Sequence, residues 1–100
     1  MGGRHNGRIG AACELLVRAD LLRRGFEVTI PVSPAALHDL HVELPSVGWL
    51  GVSVKAARRH GKKLRNDRGR SKSPVLALVL LATGRIEYRE GTEPLPVELK

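Results

Sequence analysis

The segment Val75-Leu76-Ala77-Leu78-Val79-Leu80-Leu81-Ala82 is eight consecutive apolar residues bounded by Pro74 on one side and Thr83-Gly84 on the other. It is far too short to span a bilayer. With no polar position to offer a solvated face, it is consistent with a strand buried on both sides. The rest of the chain supplies what such a strand packs against. In one hundred residues that means a single domain, 1–100, with a small core.

Ile9 to Arg24 has no proline and is rich in Ala and Leu, which predicts a helix of about four turns. Arg23 and Arg24 suit its C-terminal end, where cations complement the helix dipole, and Gly25 reads as the stop. Two apolar stripes run along it: Ala12, Leu15, Leu16, Ala19 and Leu22, and Cys13, Val17 and Leu21. A helix apolar over most of its circumference is covered on two sides or contributes to a subunit contact. Before it, residues 1–8 read as a mobile polar lead with Asn6 as a candidate cap. Period-two alternation then predicts strands at Phe26–Ile30, His38–Leu44 and Trp49–Ala56, broken by Pro31–Pro34 and by Pro45-Ser46 with Gly48. A last alternating strand is expected at Arg85–Arg89, with a tail after Pro94 and Pro96. The expected fold class is α/β (α+β): an N-terminal helix on a mixed sheet of about five strands, the first three a meander.

Charge narrows the partner. Seventeen Lys and Arg stand against ten Asp and Glu, a formal net charge of +7, which favours a polyanion. Much of the excess lies in 57–73, where Arg58, Arg59, Lys62, Lys63, Arg65, Arg68, Arg70 and Lys72 accompany one Asp and almost nothing apolar. This reads as a flexible basic loop. Its lack of aromatics disfavours base stacking on single strands and suits duplex or branched DNA recognised by backbone and shape. Arg4 and Arg8 extend the basic surface. Cys13, the single cysteine, excludes an internal disulfide and reads as a small buried hydrophobe. No apolar signal-peptide core opens the chain. A soluble, intracellular and cytoplasmic protein without a membrane partner is expected.

The polar faces of the second and third strands offer chemistry. If the two pair as a hairpin, Asp39, Ser53 and Lys55 share one side of the sheet, and Glu14 can reach them from the helix. Spacing of this kind is equally compatible with ordinary polar residues on an open sheet face. His41 shares a face with Asp39, but Mg²⁺ sites seldom use imidazole, so a phosphate contact or a surface histidine is the expectation there.

The order Gly10-x-x-x-Glu14, Leu22-x-x-Gly25-Phe26-x-Val28, Asp39-Leu40 and Val52-Ser53-Val54-Lys55 resembles the PD-(D/E)XK nuclease superfamily over residues 7–89. Within it, the pattern is most similar to archaeal-type Holliday junction resolvases and small endonucleases near them. The resemblance implies a Mg²⁺-dependent endonuclease (Mn²⁺ as an alternative ion) that hydrolyses DNA phosphodiester bonds and assembles as a homodimer. The helix or the Val75 strand region would form the contact. It implies that Asp39, Glu14 and the Val54 carbonyl hold the metal and that Lys55 is the catalytic lysine. One residue departs from the pattern: Ser53 stands where the family has an acid or Gln. That leaves open whether Asp39, Glu14 and waters suffice, whether another acid such as Glu43 moves in, or whether the protein binds DNA without cutting it. A basic RNA- or ribosome-associated protein is a third possibility.

Overall fold

The structure, a computed structural model, describes residues 3–32, 37–61, 63–65 and 72–100, with side chains at 3–6, 60 and 63 outside the description. One helix, α1 (Gly3–Arg23), precedes strands β1 (Glu27–Thr29), β2 (Leu40–Leu44), β3 (Gly48–Ala56), β4 (Arg58–His60), β5 (Lys63–Arg65), β6 (Val75–Leu80) and β7 (Arg85–Glu90). A short 3-10 turn, Val97–Leu99, closes the chain. Five strands form one sheet in the order β1-β2-β3-β6-β7, and β4 and β5 form a separate ribbon. The β3–β6 pair is parallel and the other pairs are antiparallel. The α+β class and the β1–β3 meander are as the alternation predicts.

The helix begins earlier than expected. Residues 3–8 are its first turns, not a mobile lead, and Asn6 lies inside it instead of capping it. Once the Ala- and Leu-rich stretch has nucleated, each added residue costs only propagation, so poor helix formers such as Gly7 can be recruited. At the other end, Phe26 N–H donates to Leu21 O at 3.2 Å and Gly25 N–H to Leu22 O at 2.9 Å, with Gly25 at φ 92°. This is a Schellman stop, and the positive φ explains the glycine.

Of the two apolar stripes, the helix buries Cys13, Val17 and Leu21 against Leu40, Val42, Leu44, Val52, Val54, Val75, Ala77 and Val79. Complete burial of a Leu or Val contributes about 1.5–3 kcal/mol, so these residues carry most of the core's stability. Leu15 and Leu22 on the other stripe face outward, 61% and 50% exposed. Polar groups fasten the same interface: the Tyr88 hydroxyl donates to Asp20 Oδ2 at 2.6 Å, and Arg24 donates to that oxygen while lying over the Tyr88 ring. Burial, the Asp20 bond and the Asp20 charge push the Tyr88 phenol far above its ordinary range.

Strand β6 is buried on both faces, as its sequence demands. Val75, Ala77 and Val79 join the main core, while Leu78 is fully buried outside it. A parallel β3–β6 pair requires a crossover of a dozen or more residues. The basic segment 57–74 is that crossover. It is not simply a flexible loop: 58–60 and 63–65 pair as an antiparallel ribbon, and Leu64 is completely buried. One leucine among the charges gives the ribbon an apolar anchor that composition alone concealed. The C-terminal tail is likewise docked. Leu99 enters the core, and Glu98 accepts from Ser46 N–H at 2.7 Å and Ser46 Oγ–H at 2.6 Å. Those two bonds hold the exposed Glu98 carboxyl below its ordinary range.

Candidate active site and nucleic-acid interface

Asp39 lies just before β2, where the meander opens. Its N–H donates to Val52 O at 3.0 Å, and its Oδ2 accepts from Val54 N–H at 2.7 Å. The carboxylate is therefore fixed on the strand that carries Lys55. In an extended strand the N–H and C=O of a residue leave on the same side, so the Val54 carbonyl is directed toward the Asp39 edge as well. Glu14, half-buried on the third turn after Arg4, sits within electrostatic reach. Burial, and then the Asp39 charge, raise its carboxyl above the ordinary range. Glu14 and Asp39 are an acid pair, and among the described residues no group of three His, Cys, Asp or Glu converges. Lys55 is half-buried near the end of β3, opposite Leu78 of β6.

Ser53 is turned elsewhere. It is buried, and its Oγ lies 2.5 Å from Ser73 Oγ, which in turn lies 2.6 Å from His38 Nδ1. The His38 ring rests on the bare backbone of Gly51, where a Cβ would come within 2.4 Å of it. Its edge meets His41 at a centroid distance of 5.4 Å. Sequence reasoning missed both Ser73 and the role of His38. The one signal was Gly51, a lone glycine within a strand, which marks a close approach. Glu43 does not join Asp39. It is exposed and pairs with Glu27 and Trp49, four residues and about 13 Å along the strand from Asp39.

Among the expected DNA-contacting residues, Arg8, Arg58, Arg59, Arg65 and Lys72 are exposed. Arg4 lies in α1 and Lys63 in β5, their side chains outside the description, and Lys62, Arg68 and Arg70 lie outside the described residues. The basic ribbon is held from beneath: Arg89 Nη2 donates to Leu64 O at 2.6 Å, and Glu87 pairs with the same guanidinium. Strand β6 is flanked by β3 and β7 and its Val75 is fully buried, whereas Leu15 and Leu22 of the outer helix stripe are exposed. No described helix is long and apolar enough to cross a membrane.

A single N-terminal helix on a mixed five-stranded sheet, with Glu14 in the middle of the helix within electrostatic reach of Asp39 just before β2, defines an α+β domain. No protein-family model and no curated protein matches the sequence. Among solved structures the chain is similar to a bacterial homing endonuclease, I-Ssp6803I, with a TM-score of 0.65 and 17% identity over 82% of this chain. The chain spans 62% of that protein's length. At this identity the likeness is one of fold.

Proposed function

We propose that this chain is a Mg²⁺-dependent DNA endonuclease, selective for branched or duplex structure in the manner of a junction resolvase and acting as a homodimer. The observation that carries the proposal is an Asp39 carboxylate fixed against the strand that carries Lys55, with Glu14 of the helix within electrostatic reach of it. One acid is pinned to the Val54 N–H, and the other has its carboxyl raised first by burial and then by its neighbour's charge. The homing-endonuclease fold supports the same reading. The donor set suits a hard cation. Asp39 keeps one oxygen free of the Val54 bond, Glu14 supplies a second carboxylate, and the Val54 carbonyl is directed to the same edge. Mg²⁺ commonly takes one or two carboxylates and retains waters, and Mn²⁺ accepts the same donors. When bound, the ion would polarise the scissile phosphate and acidify a water. Lys55 would orient the attacking water and offset charge growing on the phosphate. Arg8, Arg58, Arg59, Arg65 and Lys72 would hold the DNA backbone.

The second reading, a DNA-binding protein without catalysis, is favoured by one fact: the Ser53 hydroxyl is committed to Ser73 and is buried. Labelled four-way junction, duplex and nicked DNA incubated with Mg²⁺ or Mn²⁺ separate the two. Endonuclease action predicts cleavage that Asp39→Asn and Lys55→Ala abolish. Cleavage surviving either substitution removes the site, and tight binding without cleavage in both metals leaves the binding protein.

A further inference from the structure

We infer that the β4–β5 ribbon is a groove-reading element that enters the major groove of B-form DNA, an inference that rests on the DNA-directed reading above. Directly opposed residues of an antiparallel pair point to the same face, so the register divides the ribbon into two sides. Arg59 opposes Leu64, and Arg58 opposes Arg65. Leu64 is fully buried and β5 contacts β6, whose Leu78 is fully buried outside the main core. The Leu64 side is therefore the seat, and the side carrying Arg58 and Arg65 turns away from the sheet. Arg58 and Arg65 are both exposed residues, as is Arg59 at the rim of the seat.

Dimensions and mounting fit the partner. A three-residue strand extends about 10 Å, and a major groove about 12 Å wide and 8.5 Å deep admits a two-stranded ribbon. Gly61, at φ 63°, follows β4 at the ribbon's tip. The seat is fixed at two points: the Leu64 anchor and the Arg89 bond to Leu64 O. A rigid mount suits base reading, because an Arg fork must be aimed to meet the O6 and N7 of a guanine. The deep, narrow major groove of A-form RNA would exclude the same ribbon.

The test measures binding of the full chain to labelled duplex DNA in EDTA, with methyl green as major-groove competitor and netropsin as minor-groove competitor. Duplex RNA of the same sequence and the double variant Arg58→Ala/Arg65→Ala run alongside. The inference expects displacement by methyl green and not by netropsin. It expects at least about tenfold weaker binding by the double variant and by RNA, the range of a lost bidentate base contact. Displacement by netropsin alone, equal affinity for RNA, or unchanged binding by the double variant overturns it. A parallel Mg²⁺ cleavage assay separates the two readings. Methyl green competition without cleavage retains the ribbon and removes the endonuclease. Cleavage without methyl green competition removes the ribbon and retains the endonuclease.

Discussion

Ser73→Ala is a sharp test of how the crossover is fastened. Ser73 is completely buried, and its hydroxyl lies within hydrogen-bond distance of both Ser53 Oγ and His38 Nδ1. Alanine preserves the backbone bonds from Thr92 and Gly91 to this segment, so the loss is confined to the hydroxyl. A neutral hydrogen bond contributes about 1 kcal/mol net, and a buried polar group left without a partner costs about 1–3 kcal/mol. Removing both bonds and stranding the buried Ser53 hydroxyl should therefore destabilise the fold by about 2–4 kcal/mol. Ser53→Ala removes one bond and leaves Ser73 paired with His38, so about 1 kcal/mol is expected. In the double variant no hydroxyl is stranded, and the combined cost should fall short of the sum by about 1 kcal/mol. Urea unfolding followed by circular dichroism measures all three. A Ser73→Ala protein within about 0.5 kcal/mol of the parent, or strict additivity in the cycle, would refute the reasoning.

Gly51→Ala should cost about 1–3 kcal/mol, since the new methyl meets the His38 ring within 2.4 Å and the ring must leave its seat; thermal unfolding reads this, and no loss of stability would mean the ring moves freely. Tyr88→Phe should lower stability by about 1–2 kcal/mol in chemical denaturation, because Asp20 loses a donor at a half-buried interface. Glu98 has a lowered carboxyl in the fold, so its clasp on Ser46 is fully present above the ordinary Glu pKa and is lost as pH falls through the lower folded value. Unfolding curves between neutral and acid pH should show that acid-dependent part vanish in Glu98→Gln. Chelation with EDTA should abolish the proposed cleavage and readdition of Mg²⁺ should restore it; cleavage that persists in chelator would contradict the Asp39–Glu14 metal assignment.

The legibility of the chain follows the range of the interactions. Period-two alternation and proline breaks located β1, β2, β3 and β7 because a strand with one buried face writes its pattern into every second residue, and β6 showed itself as a continuous apolar run because both its faces are buried. Glu14, Asp39 and Lys55 stood out as polar exceptions on apolar elements. Three features escaped because they depend on contacts distant in sequence. The first turns of α1 are carried by the helix beyond them, not by their own propensity. The ribbon is held by Leu64 on β6 and by Arg89 from β7, and a composition dominated by Arg and Lys hides a single anchoring leucine. Ser73 pairs with residues 20 and 35 positions away, a separation that no local pattern reveals.

Ser53 takes a different meaning once its neighbours are placed. An acid there would not find a vacant site. It would face the fully buried Ser73 and the His38 ring, and it would add a third negative charge near Asp39 and Glu14, whose carboxyl is already raised. Burying that charge costs several kcal/mol unless a cation or donors compensate. Serine, Ser73, His38 and the bare backbone of Gly51 instead form one neutral, mutually fitted unit: the glycine makes room for the ring, the ring holds Ser73, and Ser73 satisfies Ser53. An acid placed at this position alone would thus disrupt the pairing of Ser73 and His38. The same unit fixes the end of the crossover bearing the basic ribbon. Ser53 thus serves the seat where the crossover rejoins β6, and under the proposed function Glu14 and Asp39 would engage the cation with waters and substrate phosphate completing its shell.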